Sequence, residues 1–206
     1  MNIVPAGDPD RPGVAAFDFD GTLVPGDSLA PFLHRLLGSR ALPAIGASAP
    51  AMLAAYRHAG RDGAKAALLA RILAGVEVDA VERHGRSYGL GLCRRIRPGM
   101  RQRLEWHHRS GHRLILVSAS LAAYLEPFGA AAGFDEVIAT RLEVNASGRL
   151  TGRLLGANVR GQEKALRLRA ALGDRPVELW AYGDSAGDTE MLAMANHPSR
   201  VSRRSR

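Results

Sequence analysis

The sequence has few of the features that mark a secreted or membrane-spanning protein. Only one of its 206 residues, Cys93, is a cysteine, so no internal disulfide can form. It contains no apolar run of the ~18 residues needed to cross a bilayer. The opening MNIVPAGDPDRPG lacks the basic end and the apolar middle of a signal peptide. We therefore expect a cytoplasmic protein.

Lysine is also scarce, although the chain is basic. The formal net charge is +8, from 28 basic and 20 acidic residues, and Lys65 and Lys164 are the only lysines. Such a charge suits nucleic acid, an anionic membrane or a small anionic substrate. The basic residues are spread along the chain and cluster only in SRVSRRSR at the end. We expect a solvated basic surface, no nucleic-acid partner, and membrane contact that is permitted but not required.

Three short apolar runs predict buried parallel strands. They are residues 14–19 (VAAFDF), 113–118 (RLILVS) and 177–182 (VELWAY). Helical patterns precede the second and third runs, over residues 101–109 and 164–172. This alternation predicts an α/β fold with a Rossmann-like, doubly wound parallel sheet, in which ligands bind beyond the carboxyl ends of the strands.

A long insertion without strand patterns follows the first predicted strand. Within it, residues 28–37 and 64–73 show the helical spacing of apolar residues. A crossover helix would need far less chain, so we predict an inserted all-helical cap subdomain. The predicted division is a flexible leader (1–12), a core domain (13–24 and 96–200), the inserted cap (25–95) and a basic tail (201–206).

Three further segments carry weaker signals. Residues 136–154 (EVIATRLEVNASGRLTGRL) predict a hairpin that turns near 145–148. Residues 43–53 (PAIGASAPAML) are apolar enough to line a groove or touch a membrane, but we expect them to form the core of the cap. Residues 197–202 leave little chain for a last strand, so we expect a minimal sheet edge or one covered by a partner chain.

Polar residues stand where the predicted strands end. Asp18 and Asp20 follow the first strand, Ser118 ends the second, GDSAGD (183–188) follows the third, and Lys164 starts a helix. Gathered carboxylates repel each other unless a cation neutralises them, and Mg²⁺ prefers oxygen ligands. A lysine, a hydroxyl and the N–H groups of the DGT turn would hold phosphate oxygens. One carboxylate could then attack phosphorus while another moves the proton.

These four signals together resemble the motifs of the haloacid dehalogenase superfamily: DFDGT, the serine of LILVSAS, the lysine of GQEK and the GDSAGD loop. Singly, each is explained by a turn, a cap or a surface lysine. The resemblance spans residues 14–195, and a helical cap between the first two motifs is similar to the phosphoserine-phosphatase-like branch (subfamily IB). It implies a phosphomonoester hydrolase that uses Mg²⁺ and acts on a small phosphorylated metabolite.

The resemblance also implies a role for each motif residue. Asp18 would be the nucleophile that forms an aspartyl-phosphate, and Asp20 the general acid and base. Phosphate would be bound by Ser118, Lys164, Gly21 and Ala119. Mg²⁺ would be held by the Asp18 carboxylate, the backbone carbonyl of Asp20, Asp184 and, directly or through water, Asp188.

The resemblance places substrate selection in the cap. In phosphoserine phosphatases a cap-side glutamate holds the substrate amine and a cap-helix arginine holds its carboxylate. Asp27 and Arg71 stand where those residues are expected, which implies phosphoserine or another amino-alcohol phosphate. Asp27 can equally be a helix cap, and Arg71 the polar face of a helix.

Three alternatives stay open. The enzyme could act on a phospholipid head group, such as phosphatidylglycerophosphate or lysophosphatidate, or transfer the phosphoryl group to an alcohol. A scaffold that binds nucleic acid or an anionic membrane is the third. We expect a monomer or a homodimer.

Overall fold

Helices and strands alternate along the chain as the apolar pattern predicts. The computed structural model describes residues 12–202, so most of the predicted leader and basic tail lies outside the described residues. The strands are β1 Gly13–Phe17, β2 Arg113–Leu121, β3 Glu136–Thr140, β4 Leu142–Val144, β5 Leu150–Leu154, β6 Glu178–Gly183 and β7 His197–Arg200. The helices are α1 Leu29–Leu37, α2 Ala41–Ile72, α3 Val78–Leu92, α4 Pro98–Arg109, α5 Ala122–Ala132, α6 Gln162–Leu172 and α7 Thr189–Ala193.

The predicted parallel sheet is confirmed. Its order is β3-β2-β1-β6-β7, and each neighbouring pair is parallel. The chain first builds outward from β1 through β2 to β3, and later places β6 and β7 on the other side of β1. Such a reversal leaves a crevice outside the carboxyl ends of the two central strands, which are β1 and β6.

Side chains of β1 alternate between two apolar layers. Ala16 belongs to a cluster that includes Leu168 of α6 and Met191 of α7. Phe17 belongs to a second cluster that includes Leu104 of α4 and Leu125 of α5. Because helices cover both faces, β1 is apolar throughout. The sheet is therefore doubly wound, as predicted.

The predicted hairpin is correct in its second part and wrong in its first. β4 and β5 are antiparallel, and the Asn145 side chain accepts hydrogen bonds from the backbone N–H groups of Ser147 and Arg149 in the turn. β3, however, pairs with β2 as a parallel edge strand of the main sheet. The run EVIAT is too short to reveal its partner by periodicity.

Residues 197–202, for which only a minimal sheet edge or a covered one was expected, include a short strand. β7 pairs with β6, and its four residues are alternately half-buried and exposed. The described edge of the sheet is therefore short, and its coverage by a partner chain stays a prediction.

The insertion is helical, and the hairpin of the core packs against it. Leu150 exchanges backbone hydrogen bonds of 2.8 Å with Gly75 and Val76, which follow α2. Gly152 has φ +84°, and a Cβ there would lie 2.8 Å from the Cα of Ala70 in α2. Only glycine allows β5 to come this close to the helix. The boundaries predicted for the cap remain a prediction.

The expectation that residues 43–53 form the core of the cap is wrong. α2 is interrupted by non-helical backbone at Ala59 and Gly60, and the half before this break lies mostly at the surface. Leu42 is 72% exposed and Leu53 54% exposed. The residues of this half that contact the apolar core form a narrow stripe: Ala44, Ile45 and Met52. Among the residues described, no helix is both long and apolar enough to cross a membrane.

Candidate active site

A cleft of about 680 Å³ lies at the carboxyl ends of β1, β2 and β6. It is lined by nine of the predicted site residues: Asp18, Asp20, Gly21, Asp27, Ser118, Ala119, Lys164, Asp184 and Asp188. Arg71 is exposed and does not line the cleft, whereas Arg61 and Lys65 of the same helix do. A larger groove of about 1200 Å³, between α3, α5 and the hairpin, contains none of the predicted site residues.

Asp18 is held at the end of β1 by backbone and side-chain donors. Its N–H donates to the carbonyl oxygen of Tyr182 in β6 at 2.9 Å. Its two carboxylate oxygens accept separately, Oδ2 from the Thr22 hydroxyl at 2.9 Å and Oδ1 from Lys164 Nζ at 2.7 Å. Burial raises the pKa of Asp18 and the Lys164 ammonium opposes this rise. The carboxylate is thus oriented by contacts on both of its oxygens.

Lys164 neutralises a second carboxylate as well. Its Nζ lies 2.6 Å from Oδ1 of Asp188, and its side chain is only 3% exposed. Burial lowers the pKa of Lys164, but the charges of Asp18 and Asp188 outweigh burial and leave the pKa raised. Burial likewise disfavours the Asp188 carboxylate, yet Lys164 and the Ser185 donors leave the pKa of Asp188 lowered. These directions describe a charged lysine between carboxylates.

The loop after β6 is both a helix cap and part of the site. Oδ2 of Asp188 accepts from the N–H of Ser185 at 3.0 Å and from its hydroxyl at 2.9 Å. Ser185 in turn accepts from the N–H of Gly187 at 3.2 Å. This capping box is the simple explanation of GDSAGD. Since Asp188 uses its other oxygen for Lys164, the two roles coexist.

Three carboxylates form a set that suits a divalent cation. Asp18, Asp184 and Asp188 each offer an oxygen within 4.8 Å of the others. A Cβ at Gly21, where φ is +82°, would lie 2.3 Å from Oδ2 of Asp184, and a Cβ at Gly183 would lie 2.5 Å from Cβ of Asp188. The glycines leave room for the acids to converge. An all-oxygen set with this charge fits Mg²⁺.

The side chain of Asp20 lies in a separate network of hydroxyl groups. Its Oδ2 accepts from Ser120 Oγ at 2.5 Å and from Ser28 Oγ at 3.0 Å. Ser28 Oγ also lies 2.9 Å from the buried hydroxyl of Tyr124. Burial raises the pKa of Asp20 to about 7, against the two serine hydrogen bonds that lower it. A carboxyl group with this pKa can both give and take a proton near neutral pH.

Sequence reasoning missed this network although it contained one signal for it. Side chains two apart on an extended chain point the same way, so Ser120 should accompany Ser118 at the end of β2. The sequence pattern places Ser28 only at the start of a predicted helix, and nothing in the pattern around Tyr124 indicates a hydroxyl network.

Lys65 is the second missed residue. Its Nζ donates to the carbonyl oxygen of Ala119 and, at 2.7 Å, to Oδ1 of Asn158. The amide of Asn158 donates to Oδ1 of Asp62 at 2.7 Å, so α2 is joined to the core through both residues. Burial lowers the pKa of Lys65 to about 8, with Asp62 opposing. The scarcity of lysine in the sequence was the available signal, since both lysines of the chain line the cleft.

Asp27 caps a helix, which is one of its two predicted alternatives, and its binding of a substrate amine stays a prediction. Its Oδ1 accepts from the N–H of Ala30 at 3.0 Å, in the first turn of α1. The residue also lines the cleft and is exposed to it. A helix-capping carboxylate can therefore face a ligand.

Comparison with known proteins decides the family. The model of the haloacid dehalogenase-like hydrolases matches residues 15–193. The chain belongs to this family. Protein CicA of Caulobacter vibrioides is 36% identical over 187 residues, which are 90% of this chain and 84% of that protein.

Two further similarities agree with the predicted branch and fold. A phosphoserine phosphatase of Idiomarina loihiensis is 36% identical over 104 residues, 48% of this chain and 46% of that protein. A crystal structure of a protein of unknown function from Bordetella pertussis has a TM-score of 0.71 at 23% identity, covering 93% of this chain and 90% of that one. The predicted superfamily, its phosphoserine-phosphatase-like branch and the enzyme class, a phosphatase, are confirmed.

Replacing Lys164 by methionine should destabilise the protein strongly. The variant leaves the buried carboxylates of Asp18 and Asp188 without their ammonium, and an uncompensated buried charge costs about 3–5 kcal/mol of unfolding free energy. Denaturant unfolding in EDTA measures this loss. The double variant Lys164→Met/Asp188→Asn should lose less than the sum of the two single variants.

Arg167→Met is the matched control. Arg167 pairs with Glu163 on the same helix, and both side chains are about 30% exposed. The Arg167→Met variant should lose only about 0.5 kcal/mol of unfolding free energy. A Lys164→Met protein as stable as Arg167→Met would contradict the charge balance described for the site.

Proposed function

We propose that the protein is a Mg²⁺-dependent phosphomonoester hydrolase that works through an aspartyl-phosphate on Asp18. The arrangement of Asp18 supports this best. Its carboxylate is held by Thr22 and Lys164, and it is one of the three carboxylates that together suit Mg²⁺. Asp20, with a pKa raised to about 7 by burial, lines the same cleft.

Ligand binding follows from the residues that line the cleft. Asp18, Asp184 and Asp188 would hold Mg²⁺, which supplies positive charge to the phosphate oxygens. Lys164 and the Ser118 hydroxyl would bind further phosphate oxygens. The backbone N–H group of Ala119 would complete this cradle. The N–H predicted to bind phosphate at Gly21 instead donates to the carbonyl oxygen of Val24 at 2.8 Å.

In the first step a carboxylate oxygen of Asp18 attacks phosphorus. A new P–O bond forms to Asp18 while the bond from phosphorus to the ester oxygen breaks, and that oxygen takes its electron pair. Asp20 gives its proton to the leaving oxygen, so that an alcohol departs. The contacts of Thr22 and Lys164 keep the attacking group in one orientation.

In the second step Asp20, now a carboxylate, takes a proton from water. The water oxygen attacks phosphorus, the bond to Asp18 breaks, and inorganic phosphate is released with Asp18 regenerated. A pKa near neutrality lets one carboxyl group serve both steps. The hydroxyls of Ser28 and Ser120 hold that carboxyl group in place between them.

Asp20→Asn should separate the two steps with p-nitrophenyl phosphate. p-Nitrophenolate leaves without needing a proton, so the first step proceeds and releases a burst of about one product per enzyme molecule. Without a base to activate water, the later steady rate should fall by a factor of about 10² or more. Stopped-flow absorbance measures both phases.

Two companion variants sharpen this experiment. Asp18→Asn should show neither burst nor turnover, and Asp174→Asn, at an exposed aspartate, should behave as the parent. An active Asp18→Asn protein would refute the nucleophile, and an Asp20→Asn protein that turns over like the parent would refute the acid–base role.

We further propose that the substrate is a small phosphorylated metabolite that carries an ammonium group and can also carry a carboxylate, such as phosphoserine or another amino-alcohol phosphate. Besides the motif residues, the cleft is lined by both carboxylates and cationic side chains: Asp27, Asp62, Arg61 and Lys65. An ammonium group of the substrate suits Asp27, and a carboxylate suits Arg61 or Lys65. These two cations replace Arg71, which lies outside the cleft.

Asp27→Asn should raise KM for phosphoserine by about tenfold, because the negative charge that would pair with the substrate ammonium is lost. KM for p-nitrophenyl phosphate, which has no amine, should stay the same. Asparagine still caps a helix, so α1 should remain intact. Steady-state kinetics with both esters provide the comparison, and an equal rise in both KM values would contradict an amine-binding role for Asp27.

A further inference from the structure

The first half of α2 presents an apolar face to solvent. Its outermost stripe follows the helical spacing of three or four residues: Leu42, Gly46, Ala49, Leu53 and Tyr56. Leu53 and Tyr56 are each 54% exposed, and Leu42 is 72% exposed. No charged residue occurs between Arg40 and Arg57. A surface helix ordinarily turns charged residues outward, so this face is unusual.

The adjoining face of this helix half already has a partner. Ala44, Ile45 and Met52 pack against the apolar core, and Ser48 on the same side is buried. The helix therefore needs no rotation to bury its inner stripe. The outer stripe stays at the surface of the described part of the chain.

Along the sequence, the charged residues that flank this stripe are all cationic. No acidic residue occurs between Asp27 and Asp62. That stretch contains four arginines, and each is exposed: Arg35, Arg40, Arg57 and Arg61. The apolar stripe is thus bracketed by cations at both ends, which is the composition of helices that lie in the interface of an anionic bilayer.

We propose that this outer face of α2 binds the surface of an anionic lipid bilayer. Leu42 and Leu53 would enter the boundary between head groups and acyl chains, and Tyr56 would lie at head-group level. Arg40 and Arg57 would contact lipid phosphates. A second copy of the chain fits this face less well, because it would bring two sets of arginines together without acids to pair them.

Binding by this face would bring the cleft close to the bilayer. After the break at Ala59 and Gly60, α2 continues with Arg61 and Lys65, which line the cleft. The docking face and the cleft wall are therefore consecutive parts of one element. The proposed docking does not depend on the proposed hydrolysis.

Vesicle flotation tests this proposal. The parent protein should float with phosphatidylcholine vesicles that contain phosphatidylglycerol, much less with phosphatidylcholine alone, and less as salt is added. Leu53→Glu should weaken binding by about tenfold or more, since it removes a buried apolar side chain and adds a like charge to the lipid. Arg40→Gln/Arg57→Gln should weaken it by about thirtyfold on anionic vesicles.

Leu166→Glu is the matched control. Leu166 is an exposed leucine, 59% accessible, on α6 of the core. This variant should float like the parent. Thermal unfolding of each variant checks that it is folded, and the arginine variant tests the same face without altering its apolar residues.

Several outcomes would overturn the proposal. These are no flotation of the parent with phosphatidylglycerol vesicles, equal flotation of Leu53→Glu and the parent, or equal losses in Leu53→Glu and Leu166→Glu. A dimer that Leu53→Glu dissociates, without vesicle binding by the parent, would assign the face to a second copy. Because flotation needs no turnover, these results are independent of whether the protein hydrolyses phosphate esters.

Discussion

The balance of buried charge around Lys164 is the constraint on which the site depends. The strand order reverses between β1 and β6, so the loops after these strands bring Asp18 and Asp188 together. Their carboxylates are almost removed from water, which is costly unless a cation accompanies them. Lys164 provides one positive charge at 2.7 and 2.6 Å. Asp184 adds a third acid, and this excess of negative charge suits a divalent cation.

The two aspartates of the DFDGT motif have different environments despite their spacing. Asp18 faces an ammonium and a threonine hydroxyl, whereas Asp20 faces only hydroxyl groups. Burial raises the pKa of Asp20 to about 7, and no lysine contacts its carboxylate to offset this among the contacts described. Different surroundings thus give two identical side chains different acidities, which is what the two proposed roles require.

The motifs and the sheet could be predicted because their signals are local. Short apolar runs that end in polar residues identify β1, β2 and β6, and the order of the strand-end residues identifies the cleft. Contacts between distant segments could not be predicted. EVIAT does not reveal that β3 pairs with β2, and residues 43–53 look like core because an outward apolar face has the same composition as an inward one. Lys65 could be noticed in the sequence as one of two lysines, but its hydrogen bond to the carbonyl oxygen of Ala119 could not be predicted.

The nucleophilic role of Asp18 is the central claim, and peptide mapping of the phosphorylated enzyme tests it most directly. Asp20→Asn protein mixed with p-nitrophenyl phosphate and Mg²⁺ would be quenched in acid, digested and examined by mass spectrometry. The account predicts one phosphoryl group on the peptide that contains DFDGT, bonded to Asp18. A phosphoryl group on any other side chain, such as Ser118 or Ser120, would contradict it.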